Sequence, residues 1–231
     1  MRRLLEGELS LAHEVQESLL PHSLPDHGPL RIRAFSKPTR KVGGDFYDFL
    51  QTESGEFVGI LVDVAGKGVA ASLLSSMILG FIQAQIRNGS TLDQTVAGLN
   101  RFMCERCPGH FATMFVFTLS EAGQGSFISA GHNTAYLLKP SAIHIEELSS
   151  NNTIVGAFPT VHYETSAFTL DAGDVLLIYS DGLTEAENPE GDMLGEEAIR
   201  HVLLTGGRRC YPPGEQTFRN FARLYAWPES K

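Results

Sequence analysis

Cysteine is scarce: three in 231 residues, an odd number, make no disulfide framework and fit a reducing compartment. Positive charge is in deficit too, with 18 Lys and Arg against 27 Asp and Glu for a net charge of −9. That balance excludes a broad electrostatic hold on nucleic acid or on an anionic membrane, and it suits the recruitment of cations. No apolar run approaches the roughly 20 residues of a membrane-spanning helix, so no membrane insertion is expected. Met1-Arg2-Arg3-Leu4-Leu5 gives way at once to Glu6-Gly7-Glu8, without the long apolar region of a signal peptide. There is no repeat and no low-complexity tract. The expectation is a cytoplasmic chain, 42% hydrophobic and long enough for one substantial core.

What is present reads as helices packed on sheets. Leu4, Leu5, Leu11, Val15, Leu19 and Leu20 give the first 20 residues one narrow apolar stripe, a helix stopped by Pro21 and Pro25. Such a helix either packs on its own domain or connects to a partner or sensor. Leu30 to Phe35 alternates like a half-exposed strand. From Gly68 to Ile86 the residues Leu73, Leu74, Met77, Ile78, Phe81 and Ile82 recur at helical spacing, ending at Asn88-Gly89. A second helix starts near Ser90 or Thr91 and shows Leu92, Val96, Leu99 and Met103 on one face. Short strands then follow over 112–119, 126–130, 135–138, 143–148, 163–170 and 175–180, separated by turn signals, before a helical tail. The order predicts an α+β domain with antiparallel hairpins.

Three aspartates sit beside glycines at the ends of apolar segments. Asp63 follows Gly59-Ile60-Leu61-Val62 and precedes Val64-Ala65-Gly66-Lys67-Gly68; Asp45 follows Val42-Gly43-Gly44; Asp181 ends Val175–Ser180 and precedes Gly182. Carboxylates and backbone carbonyls, without His or Cys, select a hard cation, Mg²⁺ or Mn²⁺. Two such ions roughly 3.5 to 4 Å apart could share a water and hold a phosphoryl group. Asp63, with the carbonyl of Val64 beside it, is the natural bridging ligand. The bland alternative for each acid is a turn, since Asp-Gly and Gly-Gly-Asp are common loop sequences.

Lys37, Arg40 and Lys41, just before Gly43, form either a solvated loop or a phosphate clamp. Cys104-Glu105-Arg106-Cys107, with His110 and the distant Cys210, could be drawn as a zinc site, but the spacing matches no strong pattern, and idle thiols are the better reading. Gly43-Gly44-Asp45-Phe46 echoes a diguanylate cyclase signature without its second acid.

Four ordered motifs bear a resemblance to one family. Val42-Gly43-Gly44-Asp45-Phe46-Tyr47-Asp48-Phe49, Asp63-Val64-Ala65-Gly66-Lys67-Gly68, Ala130-Gly131-His132-Asn133 and Tyr179-Ser180-Asp181-Gly182-Leu183-Thr184-Glu185-Ala186 resemble those of the bacterial SpoIIE/RsbU-type serine phosphatases, within the PPM (PP2C-like) superfamily. The likeness runs from about Glu14 to about Val202. It implies a linker helix over 1–24 and a phosphatase domain over 25–231, built as an antiparallel β-sandwich flanked by helices.

It further implies two Mn²⁺ or Mg²⁺ ions, a water nucleophile and a phosphoserine or phosphothreonine substrate. That substrate would be a STAS-type anti-sigma-factor antagonist in partner-switching stress signalling. Asp45 and Asp63 fall on the positions of the two-metal core and Asp181 on that of a further ligand. Gly44 and Gly182 support them, Asp48 is a supporting acid, and Arg40 and Lys41 are candidates for the substrate phosphate. His132 reads as a turn histidine that hydrogen-bonds locally. An upstream sensor and a homodimer through the first helix are further expectations. One departure stands out: the family's closing Asp-Asp-x-Thr motif is missing after Val202, which would loosen one metal and uncover a sheet edge. A second reading therefore stays open, a weakly active or inactive module that binds a STAS or kinase partner.

Overall fold

The computed structural model describes residues 2–21, 30–36, 41–188 and 191–206. In chain order the elements are α1 (Arg2–Leu19), β1 (Phe46–Gln51), β2 (Phe57–Val64), α2 (Val69–Arg87), α3 (Leu92–Arg106), β3 (Ala112–Leu119), β4 (Gln124–Ala130), β5 (Ala135–Lys139), β6 (His144–Leu148), β7 (Ser166–Thr169), β8 (Val175–Leu177), α4 (Asp181–Thr184) and α5 (Gly195–Gly206). They divide into two units: Met1–His132 with Ser150–Thr169, and Asn133–Ser149 with Leu170–Lys231.

The first unit is a five-stranded antiparallel sheet, ordered β1-β2-β3-β4-β7, with α2 and α3 on one face. Because strand side chains alternate, the two faces differ in chemistry. Phe46, Val58, Ile60, Val62, Met114, Val116 and Ile128 turn to the helices, where Ile78, Ile82, Val96, Leu99 and Met103 complete the core. The other face carries Phe49, Phe57, Phe115, Phe117, Phe127 and Phe168, packed ring to ring at centroid separations of 5.2 to 6.3 Å. Gly59 lies in this aromatic row opposite Phe117. A Cβ there would fall 2.2 Å from the Phe117 ring, so only glycine admits the ring.

Helix α3 begins with a capping box in which Thr91 and Gln94 satisfy each other's backbone N–H groups. Helix α2 ends at Asn88 and Gly89, as its sequence predicts. By length and composition α2 could cross a membrane, contrary to the expectation drawn from the sequence. Here its apolar face packs on the sheet and on α3, as a core helix does.

Helix α1 docks through polar groups. Gln16 Nε2 donates to the Gly43 carbonyl (2.7 Å) and to Ser75 Oγ (3.2 Å), while Gly43 N–H donates to Gln16 Oε1 (3.1 Å). Lys41 Nζ reaches Ser10 Oγ at 2.6 Å and the Glu6 carbonyl at 3.3 Å. Leu11 and Val15 are left 62% and 61% exposed, with Leu19 on the same stripe. Leu11, Val15 and Leu19 thus lie on the outer face of the helix, Leu20 packs against the core, and the seam with α2 and the Gly43 loop is hydrogen-bonded.

The second unit is a three-stranded sheet, β6-β5-β8, with α4 and α5. Its core gathers Tyr136, Leu138, Ile145, Tyr179, Leu194, Ile199, Val202 and Leu203. Lys139 bridges Asp174 (2.6 Å) and Asp171 (3.1 Å), and the hydrogen bond to Asp174 holds its ammonium above the usual lysine range. Arg200 pairs with Glu147 and lies over the Tyr136 ring, 5.6 Å from its centroid.

Two expectations about strands need correction, and one strand is new. Residues 31–36 form no strand, although half-buried and exposed residues alternate there as expected. β7 and β8 are only four and three residues long, shorter than the apolar runs that mark them. Strand β1, unforeseen, is the partner that gives β2 its outer neighbour.

Candidate metal centre

Asp63 does not follow β2 as the sequence implies: the strand continues through Val64, which makes Asp63 its penultimate residue. The ladder holds it from the β3 side and stops one residue short of it on the β1 side. On one side Asp63 is paired with Thr113 and Val64 with Ala112 of β3. On the other, Phe46 of β1 is paired with Val62. Gly44 and Asp45 precede β1, and continuing its antiparallel register past Phe46–Val62 would set Asp45 opposite Asp63 and Gly44 opposite Val64.

The glycine geometry supports this reading of the register. A Cβ on Gly44 would lie 2.6 Å from the Val64 carbonyl oxygen, 3.2 Å from Val64 Cβ and 3.3 Å from Ala71 Cβ. The bare Cα of Gly44 is therefore what lets the Asp45 loop close on the end of β2. Gln16 fixes the same loop from outside, gripping both backbone groups of Gly43. Cross-strand neighbours share a face with Cβ atoms typically 4.5–5.5 Å apart, so Asp63 and Thr113 form one row on the face away from α2, which the continued β1 register would extend to Asp45. Asp45 is exposed, and Asp63 and Thr113 are half-buried.

Two opposed carboxylates beside a backbone carbonyl, in a cradle that a Cβ would fill, fit a hard divalent cation and suit neither zinc nor copper chemistry. Among the described residues no three His, Cys, Asp or Glu side chains gather into one metal-binding group. The Cys104–Cys107 reading accordingly goes no further: both thiols are free and half-buried, at the end of α3, with Cys104 Sγ 3.9 Å from Asn100 Oδ1 and Cys107 Sγ 4.0 Å from Met77 Sδ. Cys210 lies outside the described residues.

Asp48 stands apart from the row. Strand alternation turns it to the helix face, where it is 4% exposed and accepts hydrogen bonds from Gln83 Nε2 (2.8 Å) and from Phe49 N–H (2.8 Å). Burial pushes its carboxyl above the ordinary carboxylate range, and the Gln83 bond, the Phe49 N–H and Arg87 pull it partway back.

Asp181 belongs to the second unit, where it opens the single-turn helix α4 after Ser180. Its carbonyl accepts from Glu185 N–H (2.8 Å) and Thr184 Oγ1 (2.9 Å), and a Cβ on Gly182 would meet only Ser180 Oγ, at 4.0 Å. Of the proposed phosphate ligands, Lys41 is engaged with α1, and Arg40 and Lys37 lie outside the described residues.

His132 makes no local turn contact through Nδ1. It is 5% exposed, and Nδ1 lies 2.8 Å from the Thr113 hydroxyl, across on β3. Thr113 is the residue that sequence reading missed; only the strand register, pairing it with Asp63, could have found it.

Comparison with known proteins places this arrangement. The sequence profile described as Stage II sporulation protein E (SpoIIE) matches residues 53–218. Phosphoserine phosphatase RsbU of Bacillus subtilis is 28% identical over 189 residues, an alignment covering 81% of this chain and 56% of RsbU. The chain therefore spans about half the length of that relative. The SiaA-PP2C domain of Pseudomonas aeruginosa has a TM-score of 0.80 at 20% identity, covering 99% of this chain and 93% of that one. RsbX, whose crystal structure is in complex with magnesium, has a TM-score of 0.59 at 19% identity, covering 84% and 85% of the two chains. The fold is PP2C-like and of the α+β class, as the motifs implied. With well over half of its length matched by the profile, the chain belongs to the SpoIIE family.

Proposed function

We propose that the chain is a protein phosphatase dependent on Mg²⁺ or Mn²⁺, hydrolysing phosphoserine or phosphothreonine in a partner protein. One observation carries the reading: in a chain of the SpoIIE family, Gly44 abuts the Val64 carbonyl, which brings the loop holding Asp45 to the end of β2 where Asp63 lies. Asp45, Asp63 and the Val64 carbonyl would hold the metal, with Asp63 as bridging ligand if two ions bind. A ligand role for Asp181 is proposed on its Ser180-Asp181-Gly182 motif alone. When bound, such ions lower the pKa of water and neutralise charge on a phosphoryl group.

The protein contributes a rigid frame. Asp63 is set by its ladder pairing with Thr113 beside the Phe46–Val62 pair, and Asp45 follows the clamped glycine loop, so little reorganisation remains when charge develops. Water oxygen attacks phosphorus, the bond to the seryl or threonyl oxygen breaks, and the alcohol leaves with a proton. The substrate class we propose is a phosphorylated STAS-type anti-sigma-factor antagonist in the bacterial cytoplasm. The exposed Leu11-Val15-Leu19 face of α1 is proposed as a pairing surface for a second copy or an upstream sensor.

The test is phosphate release from a phosphorylated STAS protein with Mn²⁺. Asp63→Asn should lower the rate by more than roughly 100-fold, beyond the range typical of partners outside the coordination sphere. Retained activity would overturn the assignment.

A second reading, a module that binds its partner without turnover, draws on the lack of a gathered three-residue metal group among the described residues. Calorimetry separates the two: tight binding of two Mn²⁺ ions counts against the module.

A further inference from the structure

The row that contains Asp63 has a third member with a polar partner of its own. Thr113 is register-paired with Asp63, and its hydroxyl lies 2.8 Å from His132 Nδ1. The imidazole is almost fully enclosed and sits on a turn that leaves it little freedom. Gly131 N–H donates to the Asn152 carbonyl (2.9 Å) and to Ser150 Oγ (2.8 Å), and Asn152 N–H donates to the Ser129 carbonyl (3.2 Å). Gly131 has φ 63°, and a Cβ on it would strike Ile154 Cγ2 at 2.2 Å. The start of β3 is tied to the same segment by paired bonds between Ala112 and Val155, both 2.9 Å. The histidine and the threonine are thus held in place independently of each other.

A threonine hydroxyl has one proton to give and two lone pairs to accept with. If Nδ1 carries the imidazole proton, it donates to Thr113 Oγ1, and the hydroxyl proton is released to point along the row. The next group in the row is a carboxylate. We propose that His132 and Thr113 are a positioning pair: Nδ1–H of His132 fills a lone pair of the Thr113 hydroxyl, whose own proton is then directed at the Asp63 carboxylate. One carboxylate oxygen is thereby fixed, and the other is presented to the metal. The inference rests on Asp63 being a metal ligand. Partners of this kind orient the ligand and raise affinity, and their removal typically costs about 10–100-fold in metal binding.

The test is calorimetric titration of the full chain with Mn²⁺, together with thermal melts of the metal-free variants. Asp63→Asn serves as the control on the underlying reading: unchanged Mn²⁺ binding there overturns Asp63 as a ligand, whatever the other variants do. Thr113→Val is isosteric at a half-buried strand position, and it should weaken Mn²⁺ binding by about tenfold or more. Thr113→Ser, which keeps the hydroxyl, should return to within about threefold of the parent protein. His132→Leu should match Thr113→Val, and the double variant should be no weaker than either single one, because both act through one hydroxyl. His132→Asn, whose amide can donate from the Nδ1 position, should bind as the parent does. The proposal is overturned if Asp63→Asn loses Mn²⁺ while Thr113→Val keeps parental affinity, or if the two single effects simply add. Should His132→Leu fail to fold, the contrast between Val and Ser at position 113 decides the matter alone.

Discussion

Replacing Gly44 with alanine adds one methyl group at the closest approach in the candidate centre. The new Cβ would stand 2.6 Å from the Val64 carbonyl oxygen and must retreat by about 0.8 Å to reach the 3.4 Å of ordinary contact. The obstacle is backbone at the end of β2, tied to β3 through the Val64–Ala112 pair, and Val64 Cβ and Ala71 Cβ block the sides, so no side chain can swing aside. Overpacking of this kind costs about 1–3 kcal/mol. At roughly 2–4 °C per kcal/mol for a protein of this size, the melting temperature should fall by somewhere between about 2 and 12 °C.

The functional effect should exceed the structural one. Asp45 is the next residue, and Mg²⁺ tolerates little departure from its short, near-octahedral bonds, so Mn²⁺ or Mg²⁺ affinity should drop by about tenfold or more. Gly80→Ala is the matched control. It lies in the interior of α2 with nothing within 4 Å of the added methyl and should stabilise by about 0.5–1 kcal/mol. Thermal melts with and without Mn²⁺, paired with calorimetry, read both effects. A Gly44→Ala protein that melts and binds metal like the parent would refute the register that opposes Asp45 and Asp63.

The raised carboxyl of Asp48 has a signed consequence. The folded chain keeps this proton to higher pH than the unfolded chain, whose value is near 3.8, so stability from this group is full below 3.8 and is lost as pH rises through the elevated folded value. Asp48→Asn removes that dependence, and in urea melts its stability relative to the parent should improve as pH rises from about 3.8 through the elevated folded value and then level off; a difference that stays flat with pH would rule this out. At α1, the exposed Leu11-Val15-Leu19 face should pair two copies, so light scattering should find a dimer for the intact protein and a monomer for Val15→Glu. A monomeric parent chain would dispose of the pairing.

The sequence made the elements legible wherever one periodicity dominated. Residues 112–119 read as a strand to the residue, and the ends of α2 and α3 were announced by Gly89 and Thr91, because capping chemistry is local. Strand β1 escaped because Phe46-Tyr47-Asp48-Phe49 mixes buried and half-buried positions with an acid inside, which hides the alternation. The motifs named the candidate acids, while their surroundings lay beyond them. Which face Asp48 takes, that the Asp45 loop closes on the end of β2, and that His132 reaches Thr113 are all matters of register and of contacts between distant residues, which no window along one strand contains. The polar docking of α1 was hidden for the same reason, since Gln16 finds its partners 27 and 59 residues further on.

The turn that joins β1 to β2 spans Thr52 to Glu56, closed by Thr52 N–H to the Glu56 carbonyl at 2.9 Å and by Gly55 N–H to the Thr52 carbonyl at 3.0 Å. It sits at the opposite end of the hairpin from Asp45 and Asp63, and Glu53 and Ser54 at its tip are exposed. Amino-acid exchanges at those two positions should pass almost unnoticed by evolution. Gaining or losing one residue there is another matter, because shifting one strand by a single step exchanges its faces and would carry Asp45 to the helix side of the sheet. Among descendants of this chain the hairpin tip should therefore vary freely in composition and hardly at all in length.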